Sequence, residues 1–343
     1  MRGVQGGTAL RTSGGVPIAK AGRTQHGRFW SVADPLLAIA AAASAPLAYF
    51  FSRTGARTPI SRSVFDRWGV SVLRHHFSEP IVMPGDLLGP LDRERDLPGL
   101  DVNEGGQLGL VAQFRYREEL LAIPRSQFGD ARFAYDNVAY PPGDAEMLYN
   151  MIRHFKPKRL IEVGSGQSTL LARLAIERNG AHDQSYTCEH ICIEPYLQPW
   201  LEQLPVKVLR RRVECCADDI FGQLGANDIL FIDSSHVIRP QGDVPHLYLH
   251  VLPRLASGVL VHSHDIFTPR DYLEGWVVQE RRLYDEQYLL EAFLSFNREF
   301  EVLLAVNWLA HHHRDKLADA CPILIEQRVG EPGAFWIRRV GGP

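Results

Sequence analysis

Two short runs hold most of the reactive side chains in the second half of the chain. Phe231-Ile232-Asp233-Ser234-Ser235-His236 and Val261-His262-Ser263-His264-Asp265 each read as an apolar strand running out into acids and histidines. If the two strands are parallel neighbours, their tips share one sheet edge, so Asp233, His264 and Asp265 should converge with His236 close by. Two carboxylates and an imidazole suit a divalent cation, with Mg²⁺ or Mn²⁺ favoured by the acids and Fe²⁺ or Zn²⁺ next because of the histidine. A cation there would lower the pKa of a bound hydroxyl. The metal-free alternative makes His236 or His264 a general base, since imidazole titrates near neutral pH. A single acid or histidine in such a place would read as a strand cap. Acid-plus-histidine clusters at two adjacent tips read as a site, with Asp233, His236 and His264 as its catalytic residues.

A second constellation reads as a nucleoside-cofactor site. Residues 159–169 (RLIEVGSGQST) form an apolar strand, a two-glycine turn and the start of a helix. Gly164 and Gly166 allow a sharp turn and close approach to a ligand around Ser165. Ser168 and Thr169 are expected to cap the helix, turning its free N–H groups toward the ligand. Position 169 is threonine rather than a third small residue, which argues against the dinucleotide fingerprint. Downstream, Ile193-Glu194-Pro195 ends another strand, and an acid at that tip can accept both ribose hydroxyls. Asp218, in Cys216-Ala217-Asp218-Asp219, falls where such folds often contact the adenine.

With Glu162 just before the glycine turn, the chain resembles the class I S-adenosylmethionine (SAM) methyltransferases, whose first motif is an acid followed by Gly-x-Gly. The strand tips resemble those of bacterial metal-dependent sugar and antibiotic O-methyltransferases, over residues 145–310. Asp233 and Asp265 match that pattern, and His264 stands where the family has the first acid of a pair. The resemblance implies that SAM is held by Glu162, Gly164, Ser165, Gly166, Ser168, Glu194, Asp218 and Asp233. It implies a divalent cation on Asp233, His264 and Asp265, and methylation of a hydroxyl on a sugar, polysaccharide or secondary metabolite. Residues 60–140, with Arg74-His75-His76 and Leu97-Pro98-Gly99-Leu100-Asp101, resemble the front part of uncharacterised bacterial methyltransferase-like proteins associated with surface polysaccharide. A function of another class, a non-catalytic SAM-binding module of a membrane assembly, would leave the clustered acids and histidines without a purpose.

These side chains need a scaffold that brings strand ends together. Apolar strands are expected at 159–163, 187–194, 206–211, 228–233, 258–262 and 300–306, with a last one at 334–338. Helical spacing of apolar residues lies between most of them, at 144–155, after Gly166, at 244–255, 287–297 and 309–320. The alternation predicts an α/β, Rossmann-like, doubly wound and mostly parallel sheet with one antiparallel edge strand, preceded by a helical or irregular extension. Between the fifth strand and its helix, residues 266–286 carry Tyr272, Trp276 and Tyr284, aromatic faces that suit a sugar ring or a packed crossover equally.

Length and charge set outer limits. The chain has 343 residues and a net charge of −3, so nothing draws it toward nucleic acid. Its five cysteines show no disulfide framework, and the 188–192 run (CEHIC) matches no common zinc spacing, so a reducing compartment is expected. Residues 1–33 read as a disordered basic leader, 34–52 as a hydrophobic helix, 53–142 as an extension for acceptor or oligomer contacts, and 143–343 as the cofactor-binding domain. The 17-residue apolar run 35–51 is broken by Pro46 and flanked by arginines on both sides. It reads as a peripheral membrane helix, a helix packed on the domain or on a second subunit, or a true span or signal. The expected partners are therefore a small-molecule or glycan acceptor, a membrane surface and a second copy in a homo-oligomer. The expected location is the cytoplasm, at the inner face of the membrane if 35–51 touches it.

Overall fold

The apolar runs form seven strands: β1 (Arg159–Val163), β2 (Glu189–Ile193), β3 (Lys207–Leu209), β4 (Ile229–Ile232), β5 (Leu260–Ser263), β6 (Phe300–Ala305) and β7 (Phe335–Arg339). They make one sheet in the order β3-β2-β1-β4-β5-β7-β6. The first five strands run parallel, while β7 is antiparallel to both β5 and β6. The structure is a computed structural model and describes residues 25–54, 57–126, 132–196, 198–327 and 330–341. Most of the leader expected at 1–33 therefore lies outside the described residues.

The chain divides into two compact units, Met1–Ile81 and Val82–Pro343. The first contains α1 (Gln25–Thr54) and α2 (Pro59–Arg67). Helix α1 is longer than the expected 34–52 and takes in residues 25–33 of the expected leader. The second unit holds every buried core residue among those described. Its extension carries α3 (Glu104–Val111) and α4 (Arg117–Leu121) and is tied to the sheet layer by side chains. Arg95 forks onto Glu291, and Gln107 Oε1 accepts the Ala305 amide at 2.6 Å. The segment from residue 82 thus folds with the sheet, and the division falls within the expected 53–142 extension.

Helix α5 (Asp144–Phe155) leads into β1, and the crossovers carry α6 (Gln167–His182), α7 (Asp243–His246) and α8 (Glu286–Leu294). α7 runs on as a wider turn through Leu247–Val251. After β6 come α9 (Val306–His312) and α10 (Pro322–Gln327). The helix expected at 309–320 is thus earlier and shorter, and a 3-10 turn at Arg314–Leu317 follows it. Strands β1 and β4 are buried along nearly their whole length, as expected of parallel strands covered on both faces.

Register sets the functional edge. Val163 pairs with Ile193 and with Ile232, and Ile232 pairs with Ser263. The next residue on each strand therefore lines up in one row: Glu194, Gly164, Asp233, His264. At a strand spacing of about 4.8 Å the row spans roughly 14 Å.

Candidate functional site

Gly164 makes the row possible. Its φ is +84°, and a Cβ there would lie 2.0 Å from the Asp233 carbonyl oxygen. Only glycine lets the β1 turn pass this close to the end of β4. Gly166 differs: its φ is −166° and a Cβ would meet nothing within 4 Å. Its missing side chain leaves open space where the turn meets α6.

Glu162 underpins the turn from inside. Its carboxylate accepts Ser168 Oγ at 2.6 Å and Thr169 Oγ1 at 2.7 Å, and it faces His190 Nε2 at 3.0 Å. Glu162 and Ser168 are both buried. They therefore shape the turn from below and do not face the cleft. Capping also differs from expectation: Thr169 Oγ1 accepts the Gly166 amide, and Ser168 lies within the first turn of α6. Glu162, His190 and Cys192 have ligand atoms within 4.8 Å of one another. Both oxygens of Glu162 are already taken by hydroxyls, so the carboxylate reads as a structural anchor of the turn, although His190 Nδ1 is buried without a partner.

A cleft of about 400 Å³ opens in front of the row, lined by Val163, Gly164, Ile193, Glu194, Tyr196, Val213, Glu214 and Asp233 among others. Glu194 is held still by two backbone donors, Ser165 N at 3.2 Å and Tyr196 N at 2.8 Å, one to each oxygen. Each oxygen keeps a second lone pair for a ligand hydroxyl. Ser234 Oγ, on the cleft wall, is buried with no partner, and so is Ser165 Oγ in the glycine turn. An acid fixed by amides, a glycine cradle and an orphaned wall hydroxyl fit a ribose-bearing cofactor.

Asp218 is not brought to this cleft. It begins a 3-10 turn, Asp218–Gln223, and its exposed carboxylate pairs with His250 Nε2 at 3.0 Å. The preceding 3-10 turn, Val213–Cys215, supplies the cleft wall instead, through Val213 and Glu214.

Behind Asp233 the two strand tips close into one cluster. Asp233 Oδ1 lies 3.2 Å from His236 Nε2 and 3.6 Å from His264 Nδ1. Asp265 reaches the same two nitrogens at 3.5 Å and 3.4 Å. The far nitrogen of each ring meets another buried acid: His236 Nδ1 faces Glu286 Oε2 at 2.9 Å, and His264 Nε2 faces Asp144 Oδ2 at 3.3 Å. Those acids are fixed in turn. Tyr248 OH donates to Glu286 at 2.8 Å, while Gly333 N and Ala334 N donate to Asp144 at 3.0 Å and 2.8 Å. His236 and Asp265 both have φ of 58°, a left-handed backbone that costs about 1–2 kcal/mol each and that aims both side chains inward.

The charges follow from this geometry. Burial alone would raise the Asp233 carboxyl, but the charge of His264 and hydrogen bonds from His236 and His264 hold it well below the usual carboxylate range. Burial lowers His264, yet Asp233 and Asp265 outweigh it and push the ring well above its ordinary value. His236 is raised the same way, against burial, by hydrogen bonds to Asp233 and Glu286. Asp265 is raised by its own burial, with the two histidines only partly compensating.

By ligand type and charge the donor set suits a cation. The contacts between the two aspartates and the two histidines run from 3.2 to 3.6 Å, with Asp265 meeting the two rings through different oxygens, so a single ion on these residues would need a small rearrangement of the side chains. Four carboxylates surround two imidazoles, so the cluster favours added positive charge. An acid behind each ring is the usual outer support of a metal-binding histidine.

Sequence reasoning placed Asp233, His236, His264 and Asp265 near one another, and the structure joins them. It placed Asp144 only at the start of an expected helix, and Glu286 only at the end of the aromatic segment 266–286. Their contacts with His264 and His236 cross 120 and 50 residues of chain, with no local signal. The aromatic segment after β5 adjoins this cluster: the Tyr284 ring centroid is 4.7 Å from that of His236, and Arg282 lies 4.1 Å over Trp276.

Comparison with known proteins agrees with this geometry in one respect. No curated protein matches the chain. One solved structure, described as a putative protein-L-isoaspartate O-methyltransferase from Plasmodium falciparum in complex with S-adenosyl-L-homocysteine, is similar at 12% identity and a TM-score of 0.26. The match covers 48% of this chain and 77% of that one. A family model described as a methyltransferase domain matches residues 161–266, from β1 through the His264-Asp265 tip. The stretch that builds the cleft and most of the cluster is therefore the part of the chain that is similar to a methyltransferase domain.

Proposed function

We propose that this domain transfers the methyl group of SAM to an acceptor hydroxyl, assisted by a divalent cation. The observation that supports this best is the single row Glu194–Gly164–Asp233–His264, which joins a ribose-type cleft to a cluster of acids and imidazoles. SAM supplies an electrophilic methyl: a C–O bond forms, the C–S bond breaks, and S-adenosylhomocysteine and a proton are released. Glu194 would hold the ribose hydroxyls and the Gly164 turn the methionine portion. Asp233 borders both halves of the site. A divalent cation on Asp233, His264 and Asp265 would lower the acceptor's pKa. His264 keeps a proton at Nε2 toward Asp144, which leaves Nδ1 facing the aspartates. His236 keeps one at Nδ1 toward Glu286, which leaves Nε2 facing Asp233 and Asp265. Most of the rate gain would come from holding the oxygen in line with the methyl.

The metal-free alternative requires a neutral imidazole. Both rings have carboxylates at both nitrogens, which hold their protons in place; base catalysis and metal ligation each need one of those protons to leave, and the surrounding acids support the cation because its charge replaces the charge lost. Tyr284 beside His236 and Trp276 nearby suit the flat faces of a sugar or an aromatic metabolite as acceptor. Asp233→Asn keeps the shape and removes a charge. It is expected to weaken Mn²⁺ binding by at least about 10-fold, since even outer-shell changes cost that much, while S-adenosylhomocysteine affinity stays within a few-fold. Calorimetry with each ligand separates the two effects. Equal Mn²⁺ binding by both proteins, or none by the wild type, would remove the cation from the proposal.

A further inference from the structure

The first unit presents a helix whose apolar stretch its own unit leaves uncovered among the described residues. Between residues 35 and 52, α1 carries no charged side chain. Across Ala33–Thr54, the 22 residues of the apolar stretch, none of the hydrophobic window is buried. Leu36, Leu37, Ile39, Leu47, Tyr49 and Phe50 are 52–70% exposed. They spread around most of the circumference, so the 35–52 stretch of α1 has no charged face. A helix that is apolar all round belongs in a protein core or in a membrane. Exposure excludes the core of its own unit.

Length and ends favour the membrane. The 18 charge-free residues, 35–52, at about 1.5 Å each give roughly 27 Å, close to a hydrocarbon thickness of about 30 Å, with Asp34 and Arg53 at the two borders. Pro35 and Pro46 lie inside the helix, a placement membrane helices tolerate. Tyr49, Phe50 and Phe51 close the apolar stretch and Arg53 follows, the aromatic-then-basic order of a headgroup border. Beyond it, α2 returns against this end through the Phe51–Phe65 ring contact at 5.2 Å. Ile60, Val64 and Trp68 stand exposed in one row at four-residue spacing, with Arg62 and Arg67 beside them. Residues 53–74 hold five arginines and one acid. A second copy of the chain would cover only one stripe of α1 and would give those arginines no counter-charge.

We infer that α1 is embedded in a lipid bilayer and that α2 lies in its anionic headgroup layer. The test uses the full chain expressed in cells, with membranes washed in alkaline carbonate. The wild type is expected to stay in the membrane pellet. Ala41→Arg combined with Ala42→Arg should release it, because one arginine at the centre of a span costs insertion roughly a hundredfold. The released variant should bind S-adenosylhomocysteine as the wild type does, which shows that it is folded. Purified full chain should also bind phosphatidylcholine vesicles more tightly when phosphatidylglycerol is added, and Arg62→Glu with Arg67→Glu should abolish that preference. Recovery of the wild type as a soluble monomer would overturn the inference. So would a soluble oligomer that the Ala41→Arg/Ala42→Arg change dissociates, or a soluble chain whose N-terminus begins beyond residue 51. Loss of cofactor binding with membrane retention intact would count against the proposed function alone.

Discussion

Gly164 shows how one residue can decide the site. Its left-handed φ and the 2.0 Å approach of a built Cβ to the Asp233 carbonyl leave no room for any side chain. Gly164→Ala must therefore push β1 and β4 apart, at an expected cost of about 2–3 kcal/mol or more together with loss of cofactor binding. Denaturant titration and calorimetry on the same sample read both effects. Gly166→Ala should leave stability nearly unchanged and weaken only cofactor binding, since its Cβ meets open space. Unaltered binding and stability in Gly164→Ala would mean that the turn does not shape the cleft. At this scale the sequence shows residue types and strand ends, which suffices for Asp233, His264 and Asp265. Asp144 and Glu286 were not legible as histidine partners, because their pairing depends on how distant helices dock. Asp218 misleads for a related reason: an acid after β3 looks the same in sequence whether its turn faces the cleft or solvent.

Helices and strands were the more legible elements. β1 has the bounds its apolar run indicates, and the start of α5 follows from Asp144 and the apolar spacing behind it. The insertion of β7 between β5 and β6 was not readable, because strand order is set by long-range pairing rather than by any local pattern. One device joins these elements. Glu146, buried in the first turn of α5, accepts the amides of Gly143, Ile323 and Leu324 and so binds α5 to the start of α10. Burial pushes its carboxyl up to about 7, although those amides pull the other way. Between the ordinary carboxyl range and pH 7, the folded state then holds a proton that the unfolded chain has released. Its contribution is thus full below the unfolded pKa and declines as pH rises through about 7, by about 3 kcal/mol in all. Thermal melts from pH 5 to 8 should show a steeper fall for the wild type than for Glu146→Gln. Parallel curves would show that Glu146 is already ionised at low pH.

On the scale of the whole molecule, structure and chemistry are unevenly divided. Every buried core residue described, the entire sheet and both halves of the site belong to the second unit. The first unit offers exposed apolar helices and arginines. A chain lacking residues 1–81 is expected to fold cooperatively and to bind S-adenosylhomocysteine within a few-fold of the full chain, as shown by circular dichroism melting and calorimetry. A folded truncation that no longer binds would mean that the first unit completes the cleft. The apolar run 35–51 was plain in the sequence, but the place where the chain divides was not. Arg95 looks like any exposed arginine until its fork onto Glu291 ties the extension to the sheet layer.

The central claim is that the row from Glu194 to Asp233 is a SAM site. Calorimetric titration of S-adenosylhomocysteine and SAM into folded full-length protein tests it most directly, with Glu194→Ala alongside. The wild type should bind one molecule per chain. The variant should bind more weakly by about 1–3 kcal/mol, the cost of losing hydrogen bonds to a charged acceptor. No heat from either ligand with folded wild type, or equal affinity in Glu194→Ala, would contradict the account.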